Sequence, residues 1–245
     1  MSSPRIEVSE DEESLAAAVA EALAARLAAP GPHHVVLTGG GVGTRVLTAL
    51  AARSGAIDWS RVHVWWGDER FLPVGDPERN ETGAQEALLA LVPIPADQVH
   101  PMPPDTGQGV ATASAAYADE LAAHSDDGFV PAFDVLLLGM GPEGHVASLF
   151  PGMPQLHAAG ATVPIEGSPK PPPTRVSLTL AAIRTAQRVW VVAAGGAKAD
   201  AVAAATRDVT PVDLVPAAGA RGRKETVFWL DRDAASRVSR GARES

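Results

Sequence analysis

The feature that most constrains this chain is a unit that recurs along it. A short apolar run ends in glycines or charges, and a helical pattern follows. HVVLT (His34–Thr38) leads into Gly39-Gly40-Gly41-Val42-Gly43, and Val46, Leu47, Leu50 and Ala51 then recur at helical spacing. VHVWWG (Val62–Gly67) leads into Asp68-Glu69-Arg70, a Pro/Gly loop and a helical stretch over Asn80–Leu91. VLLLG (Val135–Gly139), the most apolar run, leads into Met140-Gly141-Pro142-Glu143-Gly144 and a short helix expected from His145. RVWVVAA (Arg188–Ala194) precedes a helix over Ala197–Thr206. A run that is apolar at every position has no face for water, so it belongs in a sheet covered on both sides. Alternation with helices makes that sheet mostly parallel. The expected fold is α/β: a mostly parallel central sheet with helices on both faces, a Rossmann-like open sheet.

The remaining segments fit around this frame. Ser9 and Glu12 read as a capping box, followed by a helix through Leu15, Val19, Leu23 and Leu27 that Pro30-Gly31 stops. An alanine-rich helix covers 109–124, and the Pro/Gly-rich stretch 151–173 reads as a loop over one face. Arg175–Leu180 alternates like a strand with one wet face, and Thr226–Leu230 reads as the last strand. With no linker or fixed repeat, residues 1–245 read as one domain, frayed at about 1–8 and 239–245.

Composition removes several function classes. Lys plus Arg is 20 against 29 Asp plus Glu, a net charge of −9, which disfavours nucleic acid and anionic membranes as partners. There is no cysteine, so disulfides, thiolate metal sites and cysteine nucleophiles are excluded. No apolar run approaches the ~18 residues of a membrane span, and MSSPRIEVSEDEE is acidic where a signal peptide is basic. A cytoplasmic protein is expected.

In open parallel sheets ligands sit at the carboxyl ends of the strands. Three segments therefore converge: Gly39–Gly43, Asp68–Arg70 and Gly141–His145. Gly39–Gly43 opens a helix, whose free N–H groups and dipole suit a phosphate; the plainer reading is a tight turn. Asp68-Glu69-Arg70 is either a charged end of the site or a solvated loop. Arg175 and Lys198 can each supply the local positive charge that a phosphate needs, or be ordinary surface cations. His145, with Glu143 two residues earlier, can act as a general base oriented by a carboxylate; the plainer reading is a helix-capping histidine. Gly139–Gly144 also matches G-x-G-x-x-G, so a nicotinamide oxidoreductase is an alternative. His33, His34, His63, His100, His124 and His157 read as surface or packing residues. No two of them share a helix at metal-ligand spacing, so no metal is expected.

Several segments together resemble one family. LTGGG (Leu37–Gly41), WWGDERFLP (Trp65–Pro73), Asn80 with its helix, LLLGMGPEGHVASLFPG (Leu136–Gly152), PPPTRVSLTL (Pro171–Leu180) and GGAKAD (Gly195–Asp200) look like the glucosamine-6-phosphate isomerase/6-phosphogluconolactonase family, and its lactonase branch in particular. The resemblance runs from about Val35 to Leu230. It implies hydrolysis of 6-phospho-D-glucono-1,5-lactone in the oxidative pentose phosphate pathway, with no metal and no cofactor. It implies His145 as the base, assisted by Glu143 and Arg70. Gly39, Gly40, Gly41, Thr44, Arg175 and Lys198 would hold the phosphate and Asp68 the sugar hydroxyls. The N–H groups of Gly141–Gly144 and Arg70 are candidates for the oxyanion. The partner expected is a small sugar-phosphate lactone, for which a monomer suffices. A sugar-phosphate deaminase or isomerase of the same family and a non-catalytic sugar-phosphate sensor are the alternatives. Two departures stand out: the family usually carries Asp where Glu143 stands, and its phosphate loop often reads S-G-G-S-T-P where Thr38–Gly43 reads T-G-G-G-V-G.

Overall fold

The structure is a computed structural model that describes residues 3–207 and 209–238. The chain opens with β1 (Arg5–Ser9), α1 (Glu12–Leu27), β2 (His33–Leu37), α2 (Gly40–Ala51), β3 (Val62–Trp66) and β4 (Asp68–Arg70). It continues through α3 (Asn80–Ala87), α4 (Val110–Ala123), β5 (Val135–Gly139), β6 (Thr162–Ile165) and β7 (Arg175–Leu178). It closes with α5 (Leu180–Ile183), β8 (Arg188–Ala193), α6 (Ala199–Ala205) and β9 (Glu225–Asp231).

Six strands form one sheet in the order β1-β9-β8-β5-β2-β3, and every pair in it is parallel. The apolar runs supply its centre. Val135, Leu136, Leu137 and Leu138 of β5 are at most 1% exposed, and Val189, Val191 and Val192 of β8 are equally covered. Each such side chain contributes ~1.5–3 kcal/mol relative to an exposed one. Helices α1 and α2 pack on each other, α1 also on β1 and β9, and α2 on β5 and β8. Strand β2 lies between β3 and β5, so the chain leaves it toward one side and later returns on the other. That reversal opens a crevice at the carboxyl ends of β2 and β5.

The structure departs from the sequence expectations at six places. Residues 5–8 are not frayed, because β1 pairs with β9 along its whole length; 239–245 lie outside the described residues. Ser9 ends β1, and the capping box is built two residues later: Asp11 accepts from the Ser14 N–H at 2.8 Å, and Ser14 Oγ accepts from the Asp11 N–H at 3.1 Å. Asp68–Arg70 is not a loop but a strand of a second, antiparallel sheet in the order β4-β7-β6. Part of the 151–173 stretch, Thr162–Ile165, forms its outer strand, where Pro164 is tolerated at an edge. Strand β7 has no wet face, since all four of its residues are buried and α4 packs against it. Finally, no helix starts at His145. Gly144 (φ 87°) and Ala147 (φ 50°) both take left-handed backbone, which a helix cannot pass through. The segment instead folds back on itself through bridges between Met140 and Val146 and between Val146 and Leu149. Among the described residues, no helix is long and apolar enough to cross a membrane.

Candidate active site

A cleft of about 340 Å³ opens at the crevice between β2 and β5. All three segments singled out from the sequence reach it: Gly39–Gly43 after β2, Asp68 and Arg70 on β4, and Gly139–Pro142 with His145 after β5. Lys170, Arg175 and Lys198 complete its polar lining.

At one end stands His145. Its Nδ1 is 2.9 Å from Glu143 Oε1, and the ring lies 4.4 Å from that of Phe150. A carboxylate partner makes Nδ1 the protonated nitrogen in the neutral ring and leaves the Nε2 lone pair for a proton. Nε2 has no hydrogen-bond partner among the described residues. Gly141 makes this arrangement possible. A Cβ there would collide with Nδ1 and Cε1 of His145 and sit 2.7 Å from Glu143 Oε2. Burial pushes the imidazole below its ordinary pKa; Glu143 pulls it up and Lys170 pushes it further down. Burial also pushes the Glu143 carboxyl up, but its own backbone N–H, Lys170 and His145 outweigh this and hold it below the ordinary carboxylate value. The Lys170 ammonium bridges both Glu143 oxygens, at 3.0 and 3.1 Å.

The side wall is β4. Asp68 Oδ2 accepts from Ser148 Oγ at 2.5 Å, and Asn80 Nδ2 donates to the Asp68 carbonyl at 2.8 Å. Arg70 Nη1 donates to Asn80 Oδ1 at 2.6 Å and to the Glu78 carbonyl at 2.8 Å, which pins the guanidinium beside the cleft. Glu69 points the other way. It receives the N–H groups of Arg70, Asn80 and Glu81 at 2.7–2.8 Å and thereby caps α3. Burial pushes its carboxyl up to about 7 against the pull of those N–H groups and of Arg79.

The far end is cationic. Helix α2 starts at Gly40 with Gly39 as its cap, and no side chain takes up its first N–H groups. The glycines permit close approach: a Cβ on Gly39 would collide with Asn80 Oδ1, whereas Gly40 and Gly41 face open space. The Lys198 ammonium lines the same cleft with no hydrogen-bond or ion-pair partner among the described residues, and burial pushes its pKa down.

The comparisons with known proteins agree with this geometry. Residues 8–229 match the sequence profile described as glucosamine-6-phosphate isomerases/6-phosphogluconolactonase. The chain belongs to that family. It is 51% identical to a 6-phosphogluconolactonase of Streptomyces coelicolor, over 97% of this chain and 95% of the relative. It is 48% identical to one from Mycobacterium tuberculosis, over 96% and 99%. Among solved structures, a 6-phosphogluconolactonase of Thermotoga maritima superposes with a TM-score of 0.80 at 27% identity, covering 93% of this chain and 99% of that one. One from Trypanosoma brucei gives 0.79 at 27% identity, covering 96% and 99%.

Within this member of the family, most of the expected residues meet in the cleft, but three roles change. Thr44 does not line it: as the fifth residue of α2 it is exposed on the helix surface, whereas Thr38 does line the cleft. Arg175 reaches the cleft with most of its donors already used. It is 5% exposed and holds the carbonyls of Lys170, Pro171 and Pro172 at 3.0–3.1 Å, so it clamps the proline-rich loop. The turn after β5 offers little to an oxyanion. The Gly141 N–H is spent on the His145 carbonyl, the Gly144 N–H on the Gly141 carbonyl, and Pro142 has none. Arg70, the other expected donor, keeps its Nε without a hydrogen-bond partner. The G-x-G-x-x-G reading fails because no helix follows the turn. Lys170 and Ser148 carry no sequence signal of a role, although a single cation inside Pro169–Pro173 is a stiffly mounted charge.

Proposed function

We propose that this chain hydrolyses 6-phospho-D-glucono-1,5-lactone to 6-phospho-D-gluconate, the lactonase step of the oxidative pentose phosphate pathway, with His145 as general base. The observation that carries the reading is the His145–Glu143 pair, held at 2.9 Å in the cleft with Nε2 unengaged. Water loses a proton to Nε2 as it attacks the lactone carbonyl, and Glu143 stabilises the imidazolium that forms. Charge developing on the carbonyl oxygen is met by Arg70. The imidazolium then returns the proton to the ring oxygen, which stays tethered in the product. Lys198 and the N-terminus of α2 hold the phosphate, while Asp68 accepts from a sugar hydroxyl. A soluble sugar-phosphate substrate supports a cytoplasmic site of action, and a monomer completes the reading.

The test is proton release from freshly generated lactone, measured above the spontaneous rate. The parent protein should accelerate it, and His145→Ala should lower kcat by ~10²–10⁴ with KM little changed. Near-full activity in His145→Ala removes the base; no acceleration by the parent protein removes the reaction.

A further inference from the structure

Four histidines that lie far apart in sequence meet at the β3 edge of the main sheet, outside the cleft. His34 and His63 stack with ring centres 4.7 Å apart, and His63 stacks on His100 at 5.3 Å. His100 in turn lies 3.9 Å from Trp65, nearly coplanar, and 4.5 Å from His124. Glu120 and His124 sit four residues apart at the end of α4, so both side chains leave the same helix face. His100 arrives from the segment after Val99 and is fixed by its own N–H, which donates to the Val64 carbonyl at 2.9 Å.

We propose that His100, Glu120 and His124 form a binding site for a late first-row divalent cation, with zinc as the preferred ion. His100 Nδ1 lies 2.9 Å from Glu120 Oε1, and His124 Nδ1 lies 3.7 Å from the same oxygen; His124 Nδ1 also donates to the Glu120 carbonyl at 3.0 Å, a bond that an ion must displace, with the proton moving to Nε2. One ligand atom of each residue falls within 4.8 Å of the other two. An ion bound at ~2.0–2.1 Å needs its donors roughly 3.3 Å apart in a tetrahedron. Two of the three side chains can make that small adjustment, because those of Glu120 and His124 are 45% and 32% exposed. The third is held in place as a ligand must be. His100 Nε2 is 3.0 Å from His63 Nδ1, and Trp65 packs flat against the ring. Without an ion Nδ1 donates to Glu120; an ion displaces that proton, and with the proton on Nε2 donating to His63 the Nδ1 lone pair faces the ion, so His63 would act on the metal through His100. Two imidazoles and one carboxylate are borderline donors that favour zinc, copper or nickel over calcium or magnesium. Bound there, the ion would join the end of α4 to the loop beside β3.

The experiment is zinc titration calorimetry on the tag-free, chelator-treated full chain. One zinc should bind per chain at this site, and it should still bind in His145→Ala, which removes the imidazole that lines the cleft. His124→Ala and Glu120→Gln change exposed side chains, should keep the fold and the lactonase rate, and should weaken binding by at least ~10-fold, since even losing an indirect partner costs 10–100-fold. Cobalt(II) offers a reading that needs no variant: intense visible d–d bands from a four-coordinate nitrogen and oxygen site. No uptake at micromolar zinc, unchanged affinity in both variants, or loss of the ion in His145→Ala would each overturn the assignment.

Discussion

Gly141→Ala adds one methyl group at the place where the structure leaves no room for it. The backbone admits the change, because Gly141 is not among the residues with positive φ. The side chain does not fit. Its Cβ would overlap two atoms of the His145 ring, and Glu143 Oε2 would lie only 2.7 Å away. Carbon contacts need ~3.5 Å, so the imidazole must retreat by roughly 1 Å or more. The 2.9 Å bond to Glu143 cannot survive that movement. Misplacing a reacting group by about 1 Å costs on the order of 10²-fold, and losing the base outright costs up to ~10⁴-fold. The expected kcat of Gly141→Ala therefore falls ~10²-fold or more below the parent. KM should stay within a few fold, because Lys198 and the start of α2 are untouched. The assay is initial proton release against lactone concentration, with circular dichroism to confirm the fold. Gly41→Ala is the matched control: another cleft glycine, with nothing within 4 Å of its Cβ position, whose kcat should be unchanged. A Gly141→Ala enzyme within a few fold of the parent kcat would refute the claim that this ring position performs the chemistry.

The acid limb of kcat/KM should lie below the ordinary imidazole value, because burial pushes His145 down. Glu143→Gln removes a charge that raises that pKa and should move the limb to lower pH; Lys170→Met removes one that lowers it and should move the limb to higher pH. Shifts of the same sign in both variants would separate the limb from His145. Lys198→Ala should raise KM roughly 10- to 150-fold, as expected for a lost charge-assisted contact of ~1.5–3 kcal/mol, with the melting temperature unchanged. Arg175→Ala should do the opposite: a buried guanidinium tied to three carbonyls is structural, and its loss should cost roughly 3–5 kcal/mol of stability in a denaturant melt.

The main sheet was legible in the sequence because its signal is local. Val135–Gly139 and Arg188–Ala193 are continuously apolar, and such a run can only be buried on both faces. The convergence of Gly39–Gly43, Asp68–Arg70 and His145 was legible for the same reason, since strand ends on a parallel sheet share one rim. The second sheet was not. Asp68-Glu69-Arg70 carries three charges and no strand propensity, and it is a strand only because β7 offers it a partner. Glu69 is buried there because its carboxylate receives the N–H of its neighbour Arg70 and the two N–H groups of Asn80 and Glu81 at the start of α3. Lys170 was invisible because its partner Glu143 is 27 residues away across a proline-rich loop. The helix expected at His145 failed on Ala147, whose left-handed backbone no alanine signals in advance.

Behind the cleft wall lies what could be mistaken for a second mechanism. Ser148, Asp68 and Arg175 form a hydrogen-bonded set beside His145, and a serine with a carboxylate and a nearby histidine invites a covalent reading. The geometry runs the wrong way for it. Ser148 is fully buried, and its Oγ donates to Asp68 at 2.5 Å, so its proton is committed to a carboxylate that has no imidazole behind it. The His145 ring meanwhile makes its one hydrogen bond among the described residues to Glu143. A nucleophile must be exposed and must share its proton with the base, and Ser148 does neither. Its position instead explains how the two sheets hold one site. Ser148 follows the β5 turn that carries His145, and Asp68 lies on β4 of the small sheet, so their bond fixes His145, the proposed base, against the wall that carries Arg70. The phosphate end rests on α2 and Lys198, outside that bond. Base and anchor are therefore mounted separately, which is why changes at His145, Glu143 and Gly141 should act on kcat and changes at Lys198 on KM.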